Sequence, residues 1–596
     1  MLPELEFDPY DTSPASRRCH RGWVMVAIVV VAGIAVRWQF VHEKSLDDDE
    51  LQHVHFAWCI TEGMVPYRDF WDNHPPALHY ILAPIISRVG PSSASVAVCR
   101  TVMFFVGLAA FAATFLLGSA AFDKRTAALG VMWLACSELF LLKSVEIRPD
   151  GILAALIVLG LGMLACAMRS ARPPTRTPGD PGSCTADPIA RKGREGGWLY
   201  MAITFGAGLA FGSALIFSTK AVIVIALALP LYAGLTFRRA SPWLRRWITR
   251  LCTLVLGLAI PPAIWVAFEA SNGALGAALQ FTVLQNITLP DRFNPWCTFH
   301  EAGGLGLLIV SLAGVALVCL DCASARSLRR PSVLVVVPAV GLGLIYFFVM
   351  PAPYVQSATM FLPLAAILAG YLTARASDLA ARATSAPSSR AVGWLAVLAC
   401  VWLGAVHPLW RIQARRGDER TYLAAQLELM DLIHERTSPN DVVFDGRSLA
   451  TFRRHALFRP VLVQGVLARY RMGHISPGIR RELRENRCTL VFRDSRSERI
   501  PPEDWAFIET HFIHAGQWDW SYLPGRTFQA DALEDEGARF DVIVAGDYLL
   551  KRDNPESTTI IDGNTAIDSA RLDEGTHTIR STGPPSALTI WRPAGQ

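Results

Sequence analysis

The chain has 596 residues, of which 52% are hydrophobic and 18% are charged, and its mean hydropathy is +0.31. This composition excludes a purely water-soluble protein and indicates a membrane protein. The formal net charge is +5. Because the basic residues follow the alternation of loops expected for a membrane topology, we expect no nucleic-acid partner.

Apolar stretches long enough to cross a bilayer recur along the first two thirds of the chain. A span needs roughly 17–25 residues, and we count about eleven such stretches. We therefore predict an α-helical polytopic membrane protein. The predicted spans are 22–41, 95–118, 126–142, 150–168, 198–216, 219–237, 251–268, 302–320, 331–349, 358–375 and 391–409.

Lysine and arginine are concentrated in every second predicted loop, beginning with Arg17, Arg18 and Arg21 before the first span. We expect the protein to lie in the plasma or inner membrane. The positive-inside rule then places its N-terminus in the cytoplasm. With an odd number of spans, the chain after about residue 410 is extracytoplasmic. The first apolar stretch is longer than a typical signal-peptide core, so we expect an uncleaved anchor.

Changes in composition divide the chain into predicted domains. A segment rich in Pro, Gly and Arg indicates a flexible cytoplasmic loop. After the last span, helical patterns alternate with short strands, and then short alternating strands predominate. The predicted parts are a cytoplasmic tail at 1–21, a transmembrane domain at 22–409 with a first external loop at 42–94 and the flexible loop at 169–197, an α/β region at 410–524 and a β-sandwich-like module at 525–596.

The first external loop contains the stretch LDDDELQHVHFAWCITEGMVPYRDFWDNHPPALHY, from Leu46 to Tyr80. On a helix that begins near Asp49, the side chains of Asp49, Glu50 and His53 share one face. A carboxylate at the membrane surface can accept a proton from a hydroxyl group of a substrate. These three residues are also the candidates for a divalent metal ion, because carboxylates and imidazoles at this spacing are metal ligands. We expect Asp47 and Asp48 to be solvated.

The order DDDE, GMVPYRDF and DNHPPALHY after a first span resembles the first external loop of the C-type (GT-C) membrane glycosyltransferases. Within that group it is similar to the protein mannosyltransferase and lipid A aminoarabinose transferase branch. The resemblance covers roughly the first 375 residues and continues through KSVEIRPDG and LIFSTKA. It implies a multi-span enzyme that moves a sugar from a polyprenyl-phosphate carrier to an acceptor outside the membrane.

The resemblance also implies roles for individual residues. Asp49 and Glu50 match the acidic pair of the family, one member of which is the essential carboxylate, and Asp150 matches the later external acid. The position at which the aminoarabinose branch often has Lys is His74 here, so the donor phosphate needs other cations. Instead of binding substrate, Lys220 could extend its charged end from a helix terminus to the membrane surface. Arg148 could instead form a structural ion pair with Glu146 or Asp150. The expected substrate-binding residues are Arg68, Asp69, Asp72, His74, Arg148, Asp150, Lys220 and Arg292.

Together these features predict an inverting glycosyltransferase that uses a polyprenyl-phosphate-linked sugar. The acceptor is a glycan, a lipid or a protein of the cell envelope. The sequence contains no nucleotide-binding motif, which agrees with a lipid-linked donor. The main alternative is a transporter or flippase, which should have ionisable residues in the middle of its spans and an inverted repeat. A catalytically inactive scaffold is a third possibility.

Overall fold

The structure is a computed structural model of the chain. The residues that the structure describes are 14–170, 188–237, 241–287, 294–325, 330–350, 353–382, 387–475, 478–514, 521–533 and 537–594.

The chain divides into two compact units. The first unit contains Met1–Lys44, Arg100–Trp265 and Phe293–Arg420. The second unit contains Ser45–Cys99, Val266–Arg292 and Thr421–Gln596, so it combines the first predicted external loop with the C-terminal region. Each unit is therefore built from segments that are far apart in the sequence.

The α-helices are numbered in chain order through both units. They are α1 Pro14–Glu43, α2 Asp48–Thr61, α3 Ala77–Val89, α4 Ser93–Ala121, α5 Lys124–Cys136, α6 Glu138–Val145, α7 Pro149–Ser170, α8 Pro188–Phe217, α9 Ala221–Thr236, α10 Ser241–Ser271, α11 Leu275–Leu279, α12 Gln285–Ile287, α13 Pro295–Glu301, α14 Leu305–Ala325, α15 Val333–Leu344, α16 Leu362–Arg382, α17 Pro387–Val401, α18 His407–Arg436, α19 Gln464–Arg471, α20 Ile479–Glu485 and α21 Pro502–His511.

Within the described residues, six helices are long and apolar enough to cross a membrane. A seventh candidate is the pair α5 and α6, which is bent by 67°. Such a bend is typical of a broken span or a re-entrant loop. The six long segments are Trp23–Glu43, Ser93–Ala121, Pro149–Arg169, Trp198–Phe217, Leu244–Ser271 and Leu305–Ala323.

The multi-span helical prediction is confirmed, but the count of about eleven spans is not. The predicted spans 219–237 and 331–349 coincide with the shorter apolar helices Ala221–Thr236 and Val333–Val349. A shorter apolar helix satisfies its own backbone but does not cover the full bilayer thickness unless the bilayer thins. In the predicted flexible loop, residues 171–187 lie outside the described part, whereas α8 already begins at Pro188.

The first unit has one large apolar core, which includes the buried side chains of Trp133, Phe140, Phe211 and Tyr232. Helices α8 and α10 approach closely at glycine. A Cβ atom added at Gly208 would lie 2.2 Å from the carbonyl oxygen of Leu254. Only a residue without a side chain fits there, and this close backbone approach is typical of helix pairs in membranes.

The second unit contains the β-strands, which are short and belong to two sheets. They are β1 Val442–Phe444, β2 Arg454–His455, β3 Leu490–Phe492, β4 Phe512–His514, β5 Ser521–Phe528, β6 Ala538–Val542, β7 Gly546–Arg552, β8 Thr558–Ile561, β9 Asn564–Ala566, β10 Ser569–Leu572, β11 Gly575–Thr582 and β12 Leu588–Trp591.

The larger sheet has the order β10-β7-β12-β5-β3-β1-β2, with β4 also paired to β5, and the smaller sheet has the order β6-β11-β8-β9. Strands β1, β2 and β3 are parallel, as the α/β pattern predicts. Strand β5 is antiparallel to both β3 and β12. Residues 524 and 525, where the two C-terminal parts were predicted to meet, both lie inside β5, so those parts share one sheet.

The second unit has separate apolar cores beneath its parallel and antiparallel strands. The first includes Phe444, Val491, Ile508 and Phe512, together with Trp71 from the segment between α2 and α3. The second includes Phe528, Tyr548, Ile579, Leu588 and Ile590. Because Trp71 is 1% exposed and belongs to the first of these cores, the acid-rich segment is anchored to the C-terminal region.

Candidate active site

Helix α2 begins with a complete capping box. The side chain of Asp47 accepts a hydrogen bond from the backbone N–H of Asp49, at 3.0 Å. In return, the Glu50 carboxylate accepts from the backbone N–H of Asp47, at 3.1 Å. These reciprocal bonds satisfy N–H groups that have no partner within the helix. They fix the first turn of α2, and they explain why the acid-rich sequence starts a helix at this point.

The capping box separates the roles of the four consecutive acids. Glu50 is fully buried and is engaged in the cap. Asp49 is partly exposed. Asp48 was expected to be solvated, but it forms ion pairs with Arg447 at 2.6 Å and Arg496 at 2.8 Å. That prediction was wrong because the partners lie in the C-terminal region. Asp49 is thus the carboxylate of the predicted pair that is more accessible to a substrate.

A network of imidazoles lies beside Asp72, in which His53 and His79 are buried and His74 is partly exposed. Nδ1 of His79 lies 3.2 Å from one carboxylate oxygen of Asp72, and Nδ1 of His74 lies 3.4 Å from the other. Asp72 also accepts a hydrogen bond from the backbone N–H of His74 at 2.9 Å. Nε2 of His79 lies 2.8 Å from Nδ1 of His53. A chain of side-chain contacts thus runs from Asp72 through His79 to His53. His53 in turn shares a helix face with Asp49.

The two imidazoles that face Asp72 favour its charged form. Burial acts to raise the pKa of the Asp72 carboxyl, but His79 and His74 lower it by more, so its pKa lies below the usual value. An anionic Asp72 in turn favours an orientation of His79 and His74 in which Nδ1 faces the carboxylate.

The turn between α2 and α3 brings together Tyr67, Arg68 and Asp69. Tyr67 has φ = 65°, a left-handed conformation that is uncommon for a residue with a side chain. Its buried hydroxyl donates to the carbonyl oxygen of His74 at 2.5 Å, which ties the two ends of the turn together. The Arg68 and Asp69 side chains form an ion pair at 2.8 Å, and the arginine side chain is half exposed.

The first unit contains a cluster of three cations around one carboxylate. Glu146 is fully buried, and its oxygens lie 3.0 Å from Lys44 Nζ, 2.8 Å from Lys143 Nζ and 2.7 Å from Arg148 Nε. Arg148 is 3% exposed. The sequence allowed either substrate binding or a structural ion pair for Arg148, and in the structure it forms an ion pair with Glu146.

Lys220 and Asp150 form a second ion pair in the first unit. Nζ of Lys220 lies 2.9 Å from a carboxylate oxygen of Asp150. Asp150 is in the first turn of α7, and Lys220 directly precedes α9, so the pair joins the starts of two helices. The lysine side chain is 27% exposed, compared with 5% for the aspartate. Lys220 therefore has a charged partner, and part of its side chain is accessible.

The predicted metal ligands do not form a metal site in this arrangement. Across the described ranges, no group of three or more His, Cys, Asp or Glu side chains is placed to hold a metal ion. His53 faces His79 through Nδ1, and Glu50 accepts the capping N–H group.

The similarity of this chain to solved structures identifies its fold. ArnT from Cupriavidus metallidurans, bound to undecaprenyl phosphate, matches with a TM-score of 0.54 and 15% identity over 84% of this chain and 98% of that chain. The Archaeoglobus fulgidus oligosaccharyltransferase in the apo form matches with a TM-score of 0.51 and 11% identity over 96% of this chain and 97% of that chain. The chain has the GT-C fold.

The archaeal oligosaccharyltransferase AglB from Archaeoglobus fulgidus, in complex with an inhibitory peptide and a dolichol-phosphate, matches with a TM-score of 0.51 and 12% identity over 84% of this chain and 74% of that chain. No protein-family model and no curated protein sequence matches significantly. The GT-C resemblance drawn from the first external loop is confirmed by the fold, whereas sequence identities this low leave the chemistry to be argued from the residues.

Within the GT-C fold, the expected site residues separate into two groups. Asp49, Glu50, Arg68, Asp69, Asp72 and His74 belong to the second unit, and Arg148, Asp150 and Lys220 belong to the first. Arg292 lies outside the described residues. The sequence did not predict His79 as a contact of Asp72, or Lys44 and Lys143 as ion-pair partners of Glu146. The spacing of His79 from Asp72 and His74 gives no helical signal, since a turn separates them.

Proposed function

We propose that the protein is a glycosyltransferase that transfers a sugar from a polyprenyl-phosphate donor to an envelope glycan, lipid or protein on the outer face of the membrane. The observation that carries this proposal is the capped, acid-rich first turn of α2, which follows the membrane-length helix α1 directly in a chain with the GT-C fold. The solved structures with this fold that hold undecaprenyl phosphate or dolichol-phosphate support a lipid-linked donor.

In the proposed reaction, an acceptor hydroxyl oxygen attacks the anomeric carbon of the donor sugar. The bond from that carbon to the phosphate oxygen breaks, and polyprenyl phosphate leaves with the electron pair, so the anomeric configuration inverts. Asp49 takes the proton of the hydroxyl group. We assign this role to Asp49 because it is partly exposed, whereas Glu50 is buried in the capping box.

The imidazole network supports the base. Asp72 faces His79, and His79 lies 2.8 Å from His53, which shares a helix face with Asp49. Imidazoles held by a buried carboxylate keep a fixed orientation. We propose that Asp72 and His79 orient His53, and that His74, Arg68 and Asp69 contact substrate at the more open turn.

For the donor phosphate we propose Lys220. A phosphate leaving group needs charge-assisted contacts from Lys or Arg, and Lys220 is partly exposed and precedes an apolar helix. Asp150 orients its ammonium group through the ion pair at 2.9 Å. Arg148 is buried against Glu146, so we propose that it acts on the phosphate only through the charge of its cluster.

The alternative function, a transporter or flippase, is not favoured, because the solved structures that share the fold include an oligosaccharyltransferase with a bound peptide and dolichol-phosphate. The decisive experiment measures transfer. The purified full-length chain, incubated with polyprenyl-phosphate-linked sugars and cell-envelope extract, should release polyprenyl phosphate. Mass spectrometry of envelope glycans should show one sugar missing from cells without the protein. Movement of the intact lipid-linked sugar between leaflets, without release of polyprenyl phosphate, would instead identify a flippase.

Orientation in the membrane is a separate prediction. With the second unit on the outer face, a cysteine replacing Ile567 should react with a membrane-impermeant maleimide in intact spheroplasts, since Ile567 is 66% exposed. A cysteine replacing Thr177 should react only after lysis, because Thr177 belongs to a predicted cytoplasmic loop. Labelling in the opposite order would place the acid-rich loop in the cytoplasm and would contradict transfer on the outer face.

A further inference from the structure

Two arginines from the C-terminal region hold the first turn of α2. Nε of Arg447 donates to one oxygen of Asp48 at 2.7 Å, and Nη2 of the same residue lies 2.6 Å from that oxygen. Nη2 of Arg496 lies 2.8 Å from the second oxygen. Both oxygens of Asp48 therefore face a guanidinium group, and Asp48 is the residue directly before Asp49. We call Asp48, Arg447 and Arg496 the α2 clamp.

The two arginines lie in the segments that follow two adjacent parallel strands. Arg447 is three residues after the end of β1, and Arg496 is four residues after the end of β3. Each follows a buried aspartate by two residues, and that aspartate accepts its backbone N–H. The Arg447 N–H lies 2.9 Å from Asp445, and the Arg496 N–H lies 2.7 Å from Asp494. The same local turn thus projects both arginines from the carboxyl edge of the sheet.

The two turns are also linked to each other. Asp494 accepts the backbone N–H of Gly446 at 2.7 Å. A Cβ atom on Gly446 would lie 2.6 Å from the nitrogen of Ser497, so only glycine allows this approach. Burial and the charge of Asp445 raise the pKa of Asp494, and the backbone N–H bonds oppose that shift. The base of the clamp is consequently a rigid, cross-linked edge rather than two independent loops.

A third contact fixes the chain just before the clamp. The side-chain amide of Gln426, on α18, accepts from the Leu46 N–H at 2.7 Å and donates to the Leu46 carbonyl oxygen at 2.9 Å. Leu46 is 5% exposed. The backbone from Leu46 to Asp48 is therefore held from α18 and from the strand edge, so both ends of this short segment are attached to the C-terminal region.

We propose that Arg447 and Arg496 are positioning residues for the transfer reaction, which hold Asp48 so that Asp49 keeps the orientation in which it accepts the proton. This inference assigns a catalytic purpose to the C-terminal region and rests on the proposed function. Catalytic groups need placement to within a fraction of an ångström, and displacement of about 1 Å can cost roughly a hundredfold in rate. Loss of the clamp should thus lower turnover without weakening donor binding.

The test compares Arg447→Gln, Arg496→Gln and Asp48→Asn in the full-length protein. Each should lower kcat by about tenfold or more and leave the KM for donor within about twofold, because a positioning group acts on the chemical step and not on donor binding. The Arg447→Gln, Asp48→Asn double variant should lose no more than the worse single variant, since the two changes remove one interaction. Arg493→Gln is the matched control. Arg493 is adjacent to Asp494, but it pairs with Glu498 at 2.9 Å and not with Asp48.

A second measurement does not depend on activity. Backbone hydrogen exchange in residues 47–53 should be faster in the clamp variants than in the wild type and in Arg493→Gln, because the first turn of α2 opens more often. Arg447→Lys, which keeps the charge, serves where a glutamine variant does not fold, and it should show a smaller change of the same sign. Unchanged kcat, or unchanged exchange, in the clamp variants would overturn the positioning role. If kcat and exchange both change as expected while Asp49→Asn keeps full turnover, Asp49 is not the base, and the clamp positions another group of α2. If the wild type shows no transfer at all, it is the proposed function that fails.

Discussion

Replacing Asp49 by asparagine should lower turnover by roughly 10²–10⁴-fold, the range that a general base contributes. Asparagine has nearly the same shape and can still occupy the first turn of α2, but it cannot take the proton of the acceptor hydroxyl. The thermal unfolding midpoint should stay close to that of the wild type, since the cap is formed by Asp47 and Glu50. Turnover is measured with a polyprenyl-phosphate sugar and the purified, monodisperse variant.

Glu50→Gln is the matched control for this experiment. A glutamine at the same position of the capping box can accept the Asp47 N–H, because Glu and Gln both serve in this motif. Its turnover should therefore fall much less than that of Asp49→Asn. A larger loss in Glu50→Gln would transfer the base to Glu50. Near wild-type turnover in both variants would refute proton transfer to either acid.

Lys220→Met should weaken use of the lipid donor by about ten- to a hundredfold, which corresponds to the loss of an ionic hydrogen bond of roughly 1.5–3 kcal/mol. Methionine keeps the length of the side chain and removes its charge. The apparent affinity for the acceptor should change much less. The measurement is initial rate as a function of donor concentration, with acceptor held at saturation.

Asp150→Asn separates phosphate binding from a purely structural ion pair. If Lys220 acts on the phosphate, the asparagine variant keeps the lysine charge and should lose less donor affinity than Lys220→Met. If the pair only joins the starts of α7 and α9, the two variants should be impaired to the same extent, and the unfolding midpoint of both should fall. Equal loss in both would therefore remove Lys220 from the proposed phosphate site.

Local spacing allowed part of the candidate site to be predicted from the sequence. Asp49 and His53 lie one helical turn apart, and the structure places both on α2. The three-residue separation of Asp47 and Glu50 is that of a capping box, so this signal was present but not used. Side chains whose neighbours are set by helical periodicity can be assigned from a single sequence.

Partners that are distant in the sequence could not be predicted. Asp48 and Arg447 are 399 residues apart, and no periodicity joins them. Asp72 was expected to bind substrate, but it is fully buried between His74 and His79, a geometry set by the turn at Tyr67. The predicted count of spans differs from the structure for another reason. An apolar helix of 16 residues such as α9 has the composition of a span without its length, and the composition alone does not show where the helix ends.

Strand β5 has a consequence for how the C-terminal region can be divided. It pairs with β3 of the parallel strands, with β4 and with β12 of the antiparallel strands, so its hydrogen bonds belong to both halves. A chain cut at residue 524 would divide this strand. Residues 521–524, which pair with β3 and β4, would stay with the parallel strands, and residues 525–528, which pair with β12, would go with the antiparallel strands. The continuous strand that joins the two halves into one sheet would be lost. Engineers who wish to graft or exchange the terminal β-rich portion should therefore move the complete region, with the parallel strands included.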